Sequence, residues 1–255
     1  NLPNSEDFHM KVNLSPYRNN KEFFNYMQKH IGKVKRMLLA GGEPFLMPDV
    51  IEFLKHQSEA KTTSHIGLRI LTNGTVFRSQ WIEYLNCYKT LDIHISLDAV
   101  GDILEYVRYP NKWKKVYNNL KMFKELQQQN ENIRICLNPC VHLLNLTGLH
   151  EVLDIGIEFD FDVNPSFVYE ANGYDYLKIS RLKQDVRNKE ADIIEQKVKT
   201  YTKHSFDETF INTIRESEFD LGQHNSQFNE AVNYWDNHKH IKFLDQYPHL
   251  DYLIN

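Results

Sequence analysis

Five short apolar runs with strand-like composition alternate with helical patterns, and this alternation limits the fold more than any other feature. The runs cover residues 34–40, 67–72, 91–97, 133–141 and 159–168. Between them, apolar residues recur at spacings of three and four, most clearly over residues 113–129. Strands that alternate with helices form βαβ units and a parallel sheet, whose connections are right-handed. The sequence therefore predicts an α/β fold whose sheet curls into a barrel or part of one.

The pattern changes at about Gly173. Beyond it, residues 175–203, 206–215 and 228–244 are polar helical stretches with no strand-like run between them. We therefore predict two parts, a partial barrel over residues 1–172 and a helical C-terminal extension over 173–255 that packs on the barrel.

Composition and charge exclude several classes of partner. The formal net charge is −4 with acidic and basic residues well mixed, and no basic face indicates a nucleic-acid partner. No apolar run approaches the roughly 18–20 residues that cross a bilayer, so no membrane partner is expected. Three cysteines without a regular framework favour a reducing, cytoplasmic location. Cys136 and Cys140 are expected to be two buried thiols, and no metal ligands are predicted within the chain.

Every apolar run ends in small residues that form hydrogen bonds. In the order of the runs, these ends are Gly41-Gly42-Glu43-Pro44, Thr72-Asn73-Gly74-Thr75, Ser96-Leu97-Asp98, Asn138-Pro139 and Asn164-Pro165-Ser166. Ligands of parallel α/β folds bind at the carboxyl ends of the strands, so these residues predict one polar rim. For each end taken alone a simpler alternative stays open: Asn73-Gly74 forms a turn, and Ser96 or Asp98 caps the next helix.

The residue types in this rim suit a ligand with an amino-acid end and a nucleoside end. Glu43 can accept hydrogen bonds from an ammonium group, Ser96 can donate to a carboxylate, and Arg108 can clamp the same carboxylate. Three amide side chains can form hydrogen bonds with a purine edge or with hydroxyl groups, namely those of Asn73, Asn138 and Asn164. An ammonium, a carboxylate and a nucleoside occur together in S-adenosylmethionine, which these residues permit.

The order of the motifs resembles that of the radical S-adenosylmethionine (radical SAM) enzymes, and most closely their twitch-domain group. The resemblance covers about residues 35–168 and returns at 228–250. It rests on Leu-Ala-Gly-Gly-Glu-Pro-Phe-Leu-Met, Leu-Thr-Asn-Gly-Thr, Ile-Ser-Leu-Asp-Ala, Glu-Tyr-Val-Arg-Tyr-Pro-Asn-Lys-Trp and Phe-Leu-Asp-Gln-Tyr-Pro-His-Leu, in that order. It implies a partial (β/α)6 TIM-like barrel that binds S-adenosylmethionine.

The resemblance also implies roles for individual residues. The turn Gly41-Gly42-Glu43-Pro44 would hold the methionyl amine, while Ser96 and Arg108 would hold the methionyl carboxylate. The three asparagines Asn73, Asn138 and Asn164 would lie near ribose, adenine or substrate. Asp98 matches the family pattern without a clear role.

One departure from the family is large. Radical SAM enzymes bind a [4Fe–4S] cluster through a CxxxCxxC loop after the first barrel strand, and this sequence contains no such triplet. We expect that the first barrel strand and the cluster loop are absent from the chain and that the cluster ligands lie upstream of Asn1. The alternative is a degenerate member of the family that has lost its redox chemistry.

The main functional hypothesis is an oxidoreductase that cleaves S-adenosylmethionine reductively. The resulting 5′-deoxyadenosyl radical would abstract hydrogen from a substrate, expected to be a peptide or protein, with a flavodoxin or ferredoxin as electron donor. The alternative is a catalytically inactive barrel remnant that binds a nucleoside or a peptide. A hydrolase or lyase on an ordinary α/β barrel lacks support, because we find no nucleophile elbow, P-loop or paired-carboxylate motif.

Overall fold

Parallel strands joined by helices form the first of two units in the chain. A computed structural model describes residues 9–13, 21–168, 174–219 and 224–254. The first unit comprises Asn1–Ser96 and Val116–Cys136, and the second comprises Leu97–Lys115 and Leu137–Asn255. The predicted division into residues 1–172 and 173–255 stays a prediction, and its boundary falls on residues 169–173, outside the described residues.

The sheet of the first unit has five strands in the order in which they occur along the chain. They are β1 (His9–Asn13), β2 (Arg36–Ala40), β3 (Gly67–Thr72), β4 (Thr90–Ile95) and β5 (Ile133–Leu137). In the parallel register, Leu39 lies opposite Ile70, and Ile70 lies opposite Ile93. All three side chains are fully buried. The predicted α/β fold is confirmed, since these five strands alternate with helices along the chain.

Strand β1 is an addition to the predicted pattern. Its residues His9–Asn13 pair in parallel with β2, the strand that leads into the Gly-Gly-Glu-Pro turn. We expected the first barrel strand to be absent from the chain together with the cluster loop that follows it in the family. That detail is corrected: a parallel strand does precede β2.

Ten helices were identified in the described part of the chain. They are α1 (Lys21–His30), α2 (Pro48–Ala60), α3 (Gln80–Leu85), α4 (Gly101–Val107), α5 (Trp113–Gln129), α6 (Leu149–Phe159), α7 (Gln184–Val198), α8 (Glu208–Glu216), α9 (Asn225–His238) and α10 (Phe243–Gln246). The spacing-based prediction of a helix over residues 113–129 is confirmed, whereas α4 was not predicted. None of these helices is long and apolar enough to span a bilayer.

Aromatic side chains fill the core of the first unit beside the helices. The rings of Phe45 and Trp81 stack with their centroids 4.5 Å apart, and those of Phe77 and Phe123 lie at the same separation. Phe45, Trp81 and Phe123 are at most 1% exposed. Burying rings of this size contributes strongly to stability. Phe45 directly follows the Gly-Gly-Glu-Pro turn, so this packing fixes the exit of the turn.

The fourth and fifth predicted strands are each broken in two. Residues 133–141 divide into β5 and β6 (Cys140–Val141), and residues 159–168 divide into β7 (Asp162–Val163) and β8 (Ser166–Phe167). Pro139 and Pro165 lie at the breaks and have no N–H to donate to a strand ladder. Strands β6 and β8 pair in a separate two-stranded sheet. The expectation of two buried thiols holds for Cys136 but is wrong for Cys140, which is half-buried.

A buried carboxylate joins α6 and α7 in the second unit. Glu190, whose side chain is 4% exposed, contacts His150 Nδ1 through both carboxylate oxygens at 2.9 and 3.0 Å. The backbone N–H of His150 also donates to Glu190, at 2.9 Å. The hydrogen bond with Glu190 raises the pKa of His150.

This pair predicts a pH-dependent term in stability. Because the folded-state pKa of His150 is raised, its contribution is fully present below the unfolded-state pKa of about 6.5 and is lost as pH rises through the folded-state value. Denaturant titrations at about pH 6 and about pH 8.5 should show a smaller loss of stability on alkalinisation for His150→Asn than for the wild type. His56→Asn, at an exposed position on α2, provides the matched control.

Candidate functional site

The turn after β2 combines two glycines in left-handed conformations with an acidic residue. Gly41 and Gly42 have φ angles of 98° and 58°, a region that side-chain-bearing residues rarely adopt. Glu43 follows as the N-cap of a short 3₁₀ helix, Pro44–Leu46, and its Oε1 accepts a hydrogen bond from the backbone N–H of Phe45 at 3.2 Å. The chain therefore turns sharply at the strand end and carries Glu43 back toward the sheet.

The Glu43 carboxylate joins the ends of β2 and β3. Its Oε1 accepts from the Thr72 hydroxyl at 2.7 Å, and its Oε2 accepts from the backbone N–H of Asn73 at 2.7 Å. Glu43 is 8% exposed, and this burial raises its pKa although the three hydrogen bonds favour the ionised form. All three partners are neutral donors, and no cationic side chain in the described ranges forms an ion pair with it.

The chain turns at Asn73 and Gly74, directly after β3, as the simpler alternative for these two residues predicts. Asn73 Oδ1 accepts from the backbone N–H and the hydroxyl of Thr75, at 2.9 and 2.5 Å. The Asn73 amide nitrogen forms no hydrogen bond with the described residues. The backbone N–H of Ser96 donates to the carbonyl of Thr72 at 2.8 Å. The structure thus brings Glu43, Asn73 and Ser96 to neighbouring strand ends.

Gly74 is required at this turn for two reasons. Its φ is +70°, and a Cβ built there would lie 2.9 Å from Ile95 Cγ2. Its carbonyl accepts from the buried Asn119 side chain at 2.8 Å, which leaves little room to move. Gly101 has a similar φ of +58° but no atom within 4 Å of a built Cβ.

These two glycines form a matched pair for mutation. Gly101→Ala should cost only the backbone strain, about 1 kcal/mol. Gly74→Ala should cost about 1 kcal/mol more, because the methyl group also meets Ile95 in a packed core. Denaturant unfolding of both variants measures the difference. Equal losses of stability would contradict the packing argument.

In the second unit, Asp98 holds Arg108. Asp98 Oδ2 lies 2.5 Å from Arg108 Nε, and Asp98 Oδ1 accepts from the backbone N–H of Cys140 at 2.9 Å. The Asp98 side chain is 7% exposed and that of Arg108 is 31% exposed. Helix α4 begins after Val100 without a side-chain cap, so neither Ser96 nor Asp98 caps it. Asp98 therefore acquires a role that the sequence left open: it orients the Arg108 guanidinium and leaves the two terminal nitrogens outside this ion pair.

Asn145 supports Asp98 and was missed from the sequence. Its Nδ2 donates to the carbonyls of Asp98 and Cys140, both at 2.9 Å, and its Oδ1 accepts from the backbone N–H of His142 at 2.8 Å. Asn145 is completely buried. Burial lowers the pKa of the neighbouring His142 to about 4, so that the imidazole is neutral near pH 7. The sequence does contain one signal for such a role, because Asn145 is the one polar side chain in the apolar run Leu143-Leu144-Asn145-Leu146.

The sequence profile of the Radical SAM superfamily matches residues 7–154. The chain belongs to the radical SAM superfamily. The resemblance read from the motifs is thereby confirmed, and S-adenosylmethionine is the cofactor for which this family is named. No curated protein matches the chain at a significant level.

Solved structures with a similar fold include SuiB from Streptococcus suis. The complex of SuiB with the precursor peptide SuiA has a TM-score of 0.52 and 18% identity, over 71% of this chain and 40% of SuiB. SuiB bound to S-adenosylmethionine has the same score and identity, over 74% and 43%. The radical S-adenosylmethionine methyltransferase TsrM from Kitasatospora setae, with cobalamin and a [4Fe–4S] cluster bound, has a TM-score of 0.42 and 10% identity, over 57% and 27%. The SuiB likeness shows the fold, and this radical SAM chain spans less than half of the SuiB length.

The remaining two predicted residues of this radical SAM chain, Asn138 and Asn164, belong to the second unit, and each directly follows a strand. Asn138 is half-buried directly after β5, and Asn164 is exposed directly after β7. The backbone N–H of Asn164 donates to the carbonyl of Leu137 at 2.8 Å, and its side-chain oxygen accepts from the Ser205 hydroxyl. Their roles near ribose, adenine or substrate stay predictions.

The residues present do not fit a [4Fe–4S] cluster. The whole sequence contains three cysteines, Cys87, Cys136 and Cys140, and no CxxxCxxC. Among the described residues, no group of three or more His, Cys, Asp or Glu side chains could hold a metal ion. Cys87 is instead engaged locally, with its thiol 3.0 Å from the carbonyl of Tyr84 and 3.1 Å from the Thr63 hydroxyl. These three cysteines therefore do not supply the thiolate set that such a cluster needs.

Proposed function

We propose that this radical SAM chain binds the amino-acid end of S-adenosylmethionine and that Glu43 receives the methionyl ammonium group. The observation that supports this is a buried carboxylate that accepts from three neutral donors and has no cationic partner among the described residues. A carboxylate in a low-dielectric site gains strongly from a cationic hydrogen-bond partner, and an ammonium group is such a partner. Gly41 and Gly42 leave the neighbouring backbone open to the same group, and Pro44 stiffens the exit of the turn.

The methionyl carboxylate is assigned to Ser96 and Arg108 on the basis of the motif resemblance. Within the second unit, the hydrogen bond from Arg108 Nε to Asp98 supports this assignment, because it orients the guanidinium. A guanidinium held in this way can present its two terminal nitrogens to a carboxylate. Asn73, Asn138 and Asn164 are proposed to lie near ribose, adenine or substrate.

For the protein as a whole we propose a twitch-type oxidoreductase of the cytoplasm that acts on a peptide or protein. Reduced by a flavodoxin or ferredoxin, it would use a 5′-deoxyadenosyl radical to abstract hydrogen from that substrate. The SuiB fold supports this substrate class, since SuiB was crystallised with a precursor peptide. A second candidate, an inactive remnant that binds a nucleoside or peptide, is favoured by the lack of a cysteine triplet.

Equilibrium dialysis against two ligands tests the proposed site. S-adenosylmethionine has the ammonium and carboxylate groups, whereas 5′-methylthioadenosine lacks both. We expect S-adenosylmethionine to bind at least about tenfold more tightly, equivalent to about 1.4 kcal/mol. Ser96→Ala and Arg108→Ala should weaken its binding and leave that of 5′-methylthioadenosine unchanged, while Arg69→Ala, at an exposed ion pair, should change neither. Equal affinity for the two ligands would contradict the proposal and support a nucleoside-binding remnant.

Iron analysis of the protein expressed from its complete gene and prepared anaerobically tests the redox part. About four irons per chain, with 5′-deoxyadenosine released on reduction, would support the enzyme. Iron-free protein that releases no 5′-deoxyadenosine would overturn the radical reaction and leave the binding site to be judged by dialysis.

A further inference from the structure

The last turn of α4, which leads directly into Arg108, is bound by a lysine from the C-terminal helical region. Lys239 Nζ donates to the backbone carbonyl of Tyr106 at 2.7 Å. The backbone N–H of Arg108 closes the same turn by donating to the carbonyl of Leu104 at 2.9 Å. The last carbonyls of a helix have no partner within the helix and carry partial negative charge, so a cation there is favourable.

Aromatic rings enclose the Lys239 ammonium group. Its Nζ lies 3.7 Å from the ring centroid of Tyr106 and 4.8 Å from that of Trp235, within the range of cation–π attraction. Tyr106 is 1% exposed, and its ring meets those of Trp235 and Tyr247 edge-on at 6.2 and 5.2 Å. The terminal turn of α4 is therefore fixed through its carbonyl and its side chain together.

We propose that Lys239 is a positioning residue, which fixes the end of α4 and thereby the place from which the Arg108 side chain extends. Asp98 orients the guanidinium of Arg108, and Lys239 fixes its backbone, so that the side chain is held at both ends. The functional value of this arrangement rests on the proposed function, in which Arg108 receives the methionyl carboxylate.

The surroundings of Lys239 make this contact sensitive to pH. Burial lowers the pKa of Lys239 to about 8, against the opposing attraction of Asp236 on α9. Tyr106 on α4, Tyr109, His240 and the ion pair of Glu105 with Lys112 line the same small cavity. The charge of Lys239 also acts on the buried His142, which is neutral near pH 7. Loss of the proton removes both the cation–π attraction and the charge at the helix end. The turn should therefore loosen as pH rises through about 8.

Amide hydrogen exchange at Arg108, followed by NMR, tests the inference without any ligand. In Lys239→Met, which keeps the aliphatic stem, exchange of the Arg108 N–H should be about tenfold faster than in the wild type, a change of about one order in the opening equilibrium. Lys239→Arg keeps a cation that does not titrate and should behave like the wild type at pH 7. Lys112→Met removes another lysine beside α4, one that is 64% exposed, and serves as the matched control.

The pH dependence of amide exchange at Arg108 distinguishes a charged contact from a side chain that only fills space. Dividing the wild-type exchange rate by that of Lys239→Arg removes the intrinsic pH dependence of exchange. This quotient should rise between about pH 7 and pH 9, because only the lysine loses its proton there. A flat quotient would overturn the proposal. So would Arg108 exchange in Lys239→Met that equals the wild type or Lys112→Met.

Binding of S-adenosylmethionine separates the inference from the proposed function. If both hold, Lys239→Met weakens this binding several-fold, and binding of 5′-methylthioadenosine does not change. If Arg108→Ala leaves S-adenosylmethionine binding unchanged, the proposed role of Arg108 fails, while the exchange data still decide whether Lys239 fixes α4. If Arg108→Ala does weaken this binding, rapid exchange at Arg108 in Lys239→Met with wild-type affinity for S-adenosylmethionine would contradict the positioning role.

Discussion

Replacing Arg187 by methionine should lower the free energy of unfolding by about 2–4 kcal/mol. The Arg187 side chain is completely buried and donates Nε to the carbonyl of Leu182 at 3.2 Å, Nη1 to that of Ile214 at 2.8 Å, and Nη2 to Gln184 Oε1 at 3.0 Å. No carboxylate in the described ranges pairs with it, and burial lowers its pKa. Its guanidinium thus serves as a buried connector between α7 and the end of α8.

The size of the effect follows from two opposing contributions. Each hydrogen bond to a charged group contributes about 1.5–3 kcal/mol, and its loss leaves a buried carbonyl without a donor. Removing a buried charge that has no counter-ion recovers part of this cost. Denaturant unfolding followed by circular dichroism measures the net result. Arg69→Met is the matched control, because Arg69 is 51% exposed and pairs with Asp92 on the surface, a contact expected to contribute about 0–1 kcal/mol. Equal stability of the two variants would show that the buried guanidinium contributes nothing net.

The sequence predicted those parts of the fold in which local pattern and burial agree. Helix α5 and strand β3 were predicted with their observed limits, because spacings of three and four or a continuous apolar run determine them without help from distant residues. The strand prediction over residues 159–168 was wrong at its start, since Phe159 ends α6 and is 6% exposed there. A short apolar segment fits a buried helix as well as a strand, and only tertiary packing decides between them.

The residue types of the candidate site were predicted from the sequence, but the contacts among their side chains were not. That Glu43, Asn73 and Ser96 come to neighbouring strand ends follows from a parallel sheet, and the sequence was sufficient for it. The pairing of Asp98 with Arg108, its support by Asn145 and the contact of Lys239 with α4 were not predicted. These contacts join segments separated by up to 133 residues, and neither periodicity nor motif spacing reports on such pairs.

Replacing Glu43 by glutamine should reduce the affinity for S-adenosylmethionine by about 10–100-fold. A charge-assisted hydrogen bond contributes about 1.5–3 kcal/mol, which corresponds to this range. Glutamine keeps the shape of glutamate but turns one acceptor oxygen into an NH2 donor. Every partner of Glu43, namely Phe45 N–H, Thr72 hydroxyl and Asn73 N–H, is itself a donor. The variant should therefore also lose about 1–3 kcal/mol of stability, because two buried donors then face each other.

Thr72→Val separates the charge from the local structure. Valine removes the hydroxyl that donates to Glu43 Oε1 and leaves the carboxylate ionisable, so stability should fall by about 1 kcal/mol while affinity for S-adenosylmethionine stays within about threefold. Acidification provides an independent check. Burial raises the pKa of Glu43, and its neutral acid accepts an ammonium group poorly, so wild-type affinity should fall as pH drops through that raised value. Glu43→Gln has no carboxylate to protonate at this position, so its affinity should not show this fall. If the affinity of the wild type were equally independent of pH, the ammonium group would lie away from Glu43.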